Sequence, residues 1–238
     1  MKSWTRTLNL DDAHTLLALV EPGLSVETWA ELCHRQLPEL SVARRRELIR
    51  ILRDGYLDLA DGQIQLGLFL QSYRNAPAAA QIDLVHLQWA LSHPLTLVAA
   101  EKLVAPALAS GDPDIPLDDF ELLVERRLET SSSESLRKTR TVLLGAMEDI
   151  GILEARGSGQ HRLLRAARGK PHPLAFGYLI LRDLAERRLD GMMASEVPET
   201  SLGVRLTQCG ASWARHCVEW NLERGILTRR DDEIGVAA

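Results

Sequence analysis

The chain has 238 residues, 45% of them hydrophobic and 26% charged, with a formal net charge of −5 and a mean hydropathy near zero. These values exclude a disordered polymer and a coat protein that binds nucleic acid through bulk positive charge. No apolar run reaches bilayer-spanning length, and the start, MKSWTRTLNLDD, has no apolar leader core. Cys33, Cys209 and Cys217 are odd in number and scattered, so a cytoplasmic protein without a disulfide framework is expected.

A short helix is predicted over 9–20, stopped by Pro22-Gly23. Ser25 caps a second helix with Trp29, Leu32 and Cys33 on its apolar side, ending before Pro38. Ser41 caps a third, VARRRELIRILRDG, with Val42, Leu48, Ile49 and Leu52 inward. Two such helices after a turn form a helix-turn-helix pair, the second carrying an arginine-rich surface. The cluster Arg44, Arg45, Arg46, Arg50 and Arg53 is therefore a candidate DNA contact, Arg44, Arg45 and Arg46 before the rest; pairing with Glu47, Asp54 and acids further along is the alternative.

From Tyr56 to Leu108 the pattern is mostly helical and apolar. LDLADGQIQL reads either as helix interrupted near Gly62 or as a small hairpin around Asp61-Gly62, which would give the first helices their own wing. Helix is the favoured reading. Residues 78–92 and 95–109 are predicted as buried helices broken at Pro94, since their apolar content exceeds one stripe.

GDPDIP, 111–116, reads as a linker, and Asp118 and Glu121 as caps for the helix DDFELLVERRLE. Residues 112–129 hold seven acids against Arg126 and Arg127. The next helix is predicted to start at Ser131 as N-cap, with Glu134 completing a capping box. Leu136, Leu143, Met147 and Ile150 share one face, and Arg137, Lys138 and Thr141 the other. Gly151 ends it. Strand candidates 152–156 and 161–164 flank the turn Gly157-Ser158-Gly159. Helix, glycine, strand, turn and strand is how a winged helix ends, with the helix suited to a major groove and the hairpin to the backbone beside it. From Arg137 to Lys170, eight cations stand against Glu148, Asp149 and Glu154, an excess opposed to the sign of the whole chain. Phosphate is the usual partner of such an excess.

The C-terminal stretch repeats the motif: a helix, Gly225, a strand over 226–230, a turn and a further strand candidate. Trp213, Cys217 and Trp220 share a core face. Mixed charge favours packing or protein contact there over DNA. The expected fold is mainly α, a helical bundle with one or two winged-helix units bearing small β-hairpin wings. It divides into an N-terminal helical domain over 1–110, a winged-helix unit over 117–170 and a C-terminal segment over 172–238.

The sequence lacks a phosphate-cradling glycine loop ending in Lys-Ser/Thr, a complete dinucleotide fingerprint, a zinc-protease helix and a nucleophile elbow. Cys209, His216 and Cys217 want a fourth zinc ligand. His86 and His93 read as ordinary core or surface histidines, and the acids from Asp114 to Glu121 lack the lysine of a nuclease site. No cofactor, metal or catalytic residue is predicted.

The order of segments resembles the BrxA family of the bacterial BREX phage-defence systems. The resemblance spans roughly 10–165: an early helix pair, an arginine-bearing helix running into ILRDGYLDLADGQIQL, the apolar VHLQWALSHPLTLVAAEKLV, then LDDFELLVERR and LRKTRTVLLGAMEDIGIL. It implies a helical, winged-helix-containing, DNA-binding accessory protein without catalytic activity. By analogy the DNA-facing residues are Arg137, Lys138, Arg140, Arg162 and Arg165, joined by Thr141 on the same helix face and Ser158 in the turn. The implied partners are double-stranded DNA and other BREX components: a methyltransferase, a large ATPase and a phosphatase-like protein. A protein–protein adaptor, docking through the helical centre and Trp213/Trp220, and a winged-helix transcriptional regulator are the alternatives.

Overall fold

The computed structural model describes residues 9–128, 132–156 and 163–236. The chain opens with helix α1 (Leu10–Leu17), capped by Asn9, whose side chain accepts from the Asp11 and Asp12 amides. Ser25 caps α2 (Val26–Gln36) and Ser41 caps α3 (Val42–Tyr56), as the sequence predicts. Trp29, Cys33, Leu48, Ile49 and Leu52 are buried, but Val42, expected inward, is 50% exposed. LDLADGQIQL is a hairpin, not a helix. Strand β1 (Asp58–Ala60) pairs antiparallel with β2 (Gln63–Gln65). Asp61 and Gly62 both take positive φ, the backbone a tight two-residue turn requires. The segment before α2 pairs with the other side of β2: Gly23 N–H donates to Ile64 O at 2.7 Å and Ile64 N–H to Leu24 O at 2.9 Å.

Helices α4 (Leu68–Arg74) and α5 (Ala78–Ser92) follow. Next comes a continuous helical run broken only in hydrogen-bond pattern: α6 (Pro94–Ala99), a π-helical turn (Ala100–Val104) and α7 (Ala105–Ser110). GDPDIP is not a plain linker, because Asp114–Ile115 form strand β3. Helix α8 (Leu117–Arg127) has Pro116 at its N-cap and no side-chain cap, so Asp118 and Glu121 do not cap it. Asp118 and Asp119 instead meet the positive end of the helix dipole. The cap of α9 (Ser133–Asp149) is Ser132, accepting from the Ser135 amide; Ser131 lies outside the described residues. Glu134 pairs with Lys138, and the Ser131 side of the predicted capping box lies outside the described residues. Strands β4 (Leu153–Arg156) and β5 (Leu163–Ala166) complete a sheet of order β3-β5-β4.

The remainder runs α10 (Pro173–Arg187), β6 (Gly191–Met193), α11 (Val197–Thr200), α12 (Leu202–Thr207), α13 (Ala211–Glu223), β7 (Leu227–Arg230) and β8 (Glu233–Val236), with sheet order β6-β8-β7. The fold is mainly α with small antiparallel hairpins. It contains one plan three times: a helix, an extended strand, a helical turn, a third helix, then a hairpin whose last strand returns to the first. The units cover 10–65, 94–166 and 173–236. The second and third also share a helix stop. Gly151 and Gly225 take positive φ. The following amides reach back five residues, Ile152 to Met147 O and Ile226 to Asn221 O, each at 3.0 Å. This is the glycine-terminated Schellman arrangement.

One hydrophobic core runs from Ala13 to Leu206, and a smaller one, around Phe176, Leu184, Met192 and Ile234, serves the last unit. Helix α5 packs on α3, α9 and α10, one helix from each unit. None of the described helices is long and apolar enough to cross a membrane.

Two glycines mark close approaches in the last unit. A Cβ on Gly177 would stand 2.3 Å from Asn221 Oδ1, and one on Gly203 2.6 Å from the Phe176 ring. Gly177→Ala and Gly203→Ala are each expected to cost about 1–3 kcal/mol in chemical denaturation. Gly145, in mid-α9 with nothing within 4 Å of an added Cβ, is the contrast. Gly145→Ala should stabilise by about 0.5–1 kcal/mol.

Packed on Trp89, His93 is held down from 6.5 to about 4 by burial. The unfolded chain then binds the proton more readily, so stability is undiminished above 6.5, falls as pH drops below that value and stops falling below about 4. The total loss is about 3 kcal/mol. His93→Gln should flatten the stability profile across that acid window, measured by denaturant unfolding.

Candidate nucleic-acid interface

Helix α9 occupies the third-helix position of the second unit, with β4 and β5 directly after it. Thr139, Val142, Leu143, Ala146 and Met147 bury its inner face. Arg137 and Thr141 lie on the outer face, exposed. Arg137 makes no ion pair among the described residues. Thr141 Oγ1 donates to the Arg137 carbonyl at 2.9 Å, so its hydroxyl is turned onto its own helix. Lys138 Nζ sits 2.5 Å from Glu134, and this contact holds the Glu134 carboxyl below its usual pKa. The pair is solvent-exposed and one turn apart, the kind that contributes little to stability.

Two other cations in the stretch, Arg140 and Arg165, are set against acids of the same unit. Arg140 is clamped to Glu121 of α8, leaving its side chain 21% exposed. It joins the two helices of the turn and does not extend the outer face. Arg165 is on the central strand, in register with Asp114 on one side and Glu154 on the other. Its charge therefore stands between two acids on one face of the sheet. Arg168 is exposed and donates to Gln208 O at 3.2 Å, while Lys170 is exposed. Ser158 and Arg162 lie outside the described residues.

The first unit sorts its arginines similarly. Arg44 pairs with Glu47 at 3.3 Å, and Arg45 donates to Leu37 O at 3.0 Å, closing the turn between α2 and α3. Of the first three in the predicted cluster, Arg46 alone is exposed. Arg50, of the same predicted arginine cluster, lies one turn from Arg46 by helical spacing and is exposed too.

The third unit differs. Arg229 is consumed by its own hairpin, donating to Asp231 O at 3.1 Å and standing 3.4 Å from Asp232. Trp213 Nε1 donates to Pro171 O at 3.3 Å, and Trp220 packs between His172 and the Arg224 guanidinium, 3.8 Å from its centroid. The tryptophans offered as a docking face therefore contact their own chain. Burial pushes the Cys217 thiol up to about 12, far from reactive thiolate. Among the described residues no group of three or more His, Cys, Asp or Glu is placed to hold a metal ion.

No known family model matches the chain, and no curated protein matches it significantly.

Because Arg140 is engaged inside the unit and Arg137 outside it, their alanine variants should separate. Arg140→Ala is expected to lower unfolding stability by about 0.5–1 kcal/mol. Arg137→Ala should leave the unfolding midpoint unchanged, both read by urea denaturation.

Proposed function

We propose that this is a non-catalytic, cytoplasmic DNA-binding accessory protein that holds duplex mainly through backbone phosphates. The observation that carries the reading is the exposed Arg137/Lys138 pair on the third helix of a winged-helix unit. Between the two strands after it the sequence runs GSGQHR, which holds a further cation, Arg162. In such units the third helix enters the major groove and the wing tracks the adjacent backbone. Readout of base sequence is modest, since no Asn or Gln lies beside the exposed cations of α9 to make bidentate base contacts.

The segment order that resembles the BrxA family supports a role in bacterial phage defence. The protein would then work beside a methyltransferase, an ATPase and a phosphatase-like component. The adaptor reading is the weaker one, because Trp213 and Trp220 pack within the chain. A transcriptional regulator would add a defined operator footprint.

Arg137→Ala combined with Lys138→Ala is expected to weaken binding to unrelated duplexes equally. The slope of log affinity against log salt should flatten by about one to two units. Fluorescence anisotropy across a salt series reads both quantities. A slope identical to that of the parent protein rejects this helix as the contact, and co-purification with a partner in the absence of any duplex binding favours the adaptor.

A further inference from the structure

The LADGQIQ hairpin changes the meaning of the first helices. With it, residues 10–65 carry the same plan as the second unit, and α3 stands where α9 stands: after a capped turn, before the hairpin, with its inner face in the core. Position alone does not confer a function, since α13 holds the same place in a unit whose hairpin neutralises its own arginine. The surface decides.

The outer face of α3 is cationic. Five arginines, Arg44, Arg45, Arg46, Arg50 and Arg53, share the helix with only Glu47 and Asp54. Glu47 pairs with Arg44, and Asp54, at the far end of the helix, is shared by Arg53 at 2.7 Å and Arg50 at 3.9 Å, so the two acids leave a net positive helix. Arg46 and Arg50, one turn apart, stay exposed; the Arg50 side chain is 48% accessible, with Asp54 at 3.9 Å. No acid occupies the first turn, so the positive end of the helix dipole is not offset there. Val42 and Ala43, both exposed, give the entering end a short, apolar surface. The first residues of a groove-reading helix are those that meet base edges, where small apolar groups fit against thymine methyls and no acidic side chain repels the phosphates.

We infer that α3 is a second duplex-DNA contact, separate from α9, in which Arg46 and Arg50 neutralise phosphates while Val42 and Ala43 face the groove. The inference rests on the DNA-binding reading of the second unit and extends it to another helix. Both helices pack on α5, so the two contacts are presented by one body.

The test compares the full-length protein with Arg46→Ala/Arg50→Ala, with Arg137→Ala/Lys138→Ala and with the fourfold variant, on one mixed-sequence DNA duplex over a salt series. All substituted side chains are exposed or half-exposed, and thermal unfolding confirms that each variant folds. Each double variant is expected to flatten the salt slope by about one to two units, and the fourfold variant by roughly the sum. An unchanged slope and affinity for Arg46→Ala/Arg50→Ala, with a loss for Arg137→Ala/Lys138→Ala, overturns the second contact and leaves the first standing. The reverse pattern upholds α3 and removes α9. A parent protein that binds no duplex overturns both.

Discussion

Gln88, buried on the central helix α5, holds the molecule's ends together. Its amide N–H donates to Gly55 O near the end of α3. Its carbonyl accepts from the Tyr178 hydroxyl and from Arg182 Nη1, both on α10. Arg182 is itself held by Glu186 at 2.7 Å. One neutral side chain thus satisfies a backbone acceptor of the first unit and two donors of the last. Buried polar groups are costly when unpaired and specifying when fully paired. Such a node therefore fixes how the units sit on α5 more narrowly than apolar packing would. Further polar ties act in the same direction: the His172 amide donates to Asp83 of α5 at 2.5 Å, and Arg205 of α12 reaches Glu101 in the π turn at 2.6 Å.

Much of this was legible where a residue's role is local. Ser25 and Ser41 announce helix starts because a hydroxyl there accepts an otherwise unpaired amide. Gly151 announces a helix stop because it tolerates positive φ. The buried character of 78–92 follows from composition alone. LDLADGQIQL resembles helix in sequence because a short apolar run satisfies helical and strand periods alike, and its helical neighbours outweigh the Asp61-Gly62 turn. Strand β3 is two residues long inside a run of turn-forming residues, so nothing in its own sequence distinguishes it; its partner β5 defines it. The candidate site shows the same limit. The charge excess is visible in the sequence. Which guanidinium groups remain outside is not, because their captors are distant: Glu121 for Arg140, and the Leu37 carbonyl for Arg45.

The three units show how one frame supports unlike surfaces. Each buries the inner face of its third helix, while the outward positions differ. In the second unit they hold Arg137 and Lys138; in the first, Arg46 and Arg50; in the third, Arg215 next to His216 and Glu219. An acidic molecule can therefore carry cationic walls, since net charge constrains the sum over the surface and not its distribution.

Among the described residues the three sheets stay separate, and each has a short outer strand: β1, β4 and β7 span three or four described residues. An outermost strand with unpaired backbone groups invites another chain to add on and propagate. Strands this brief offer too few amides to template a neighbour. Repeating the unit thus multiplies short edges rather than lengthening any one of them.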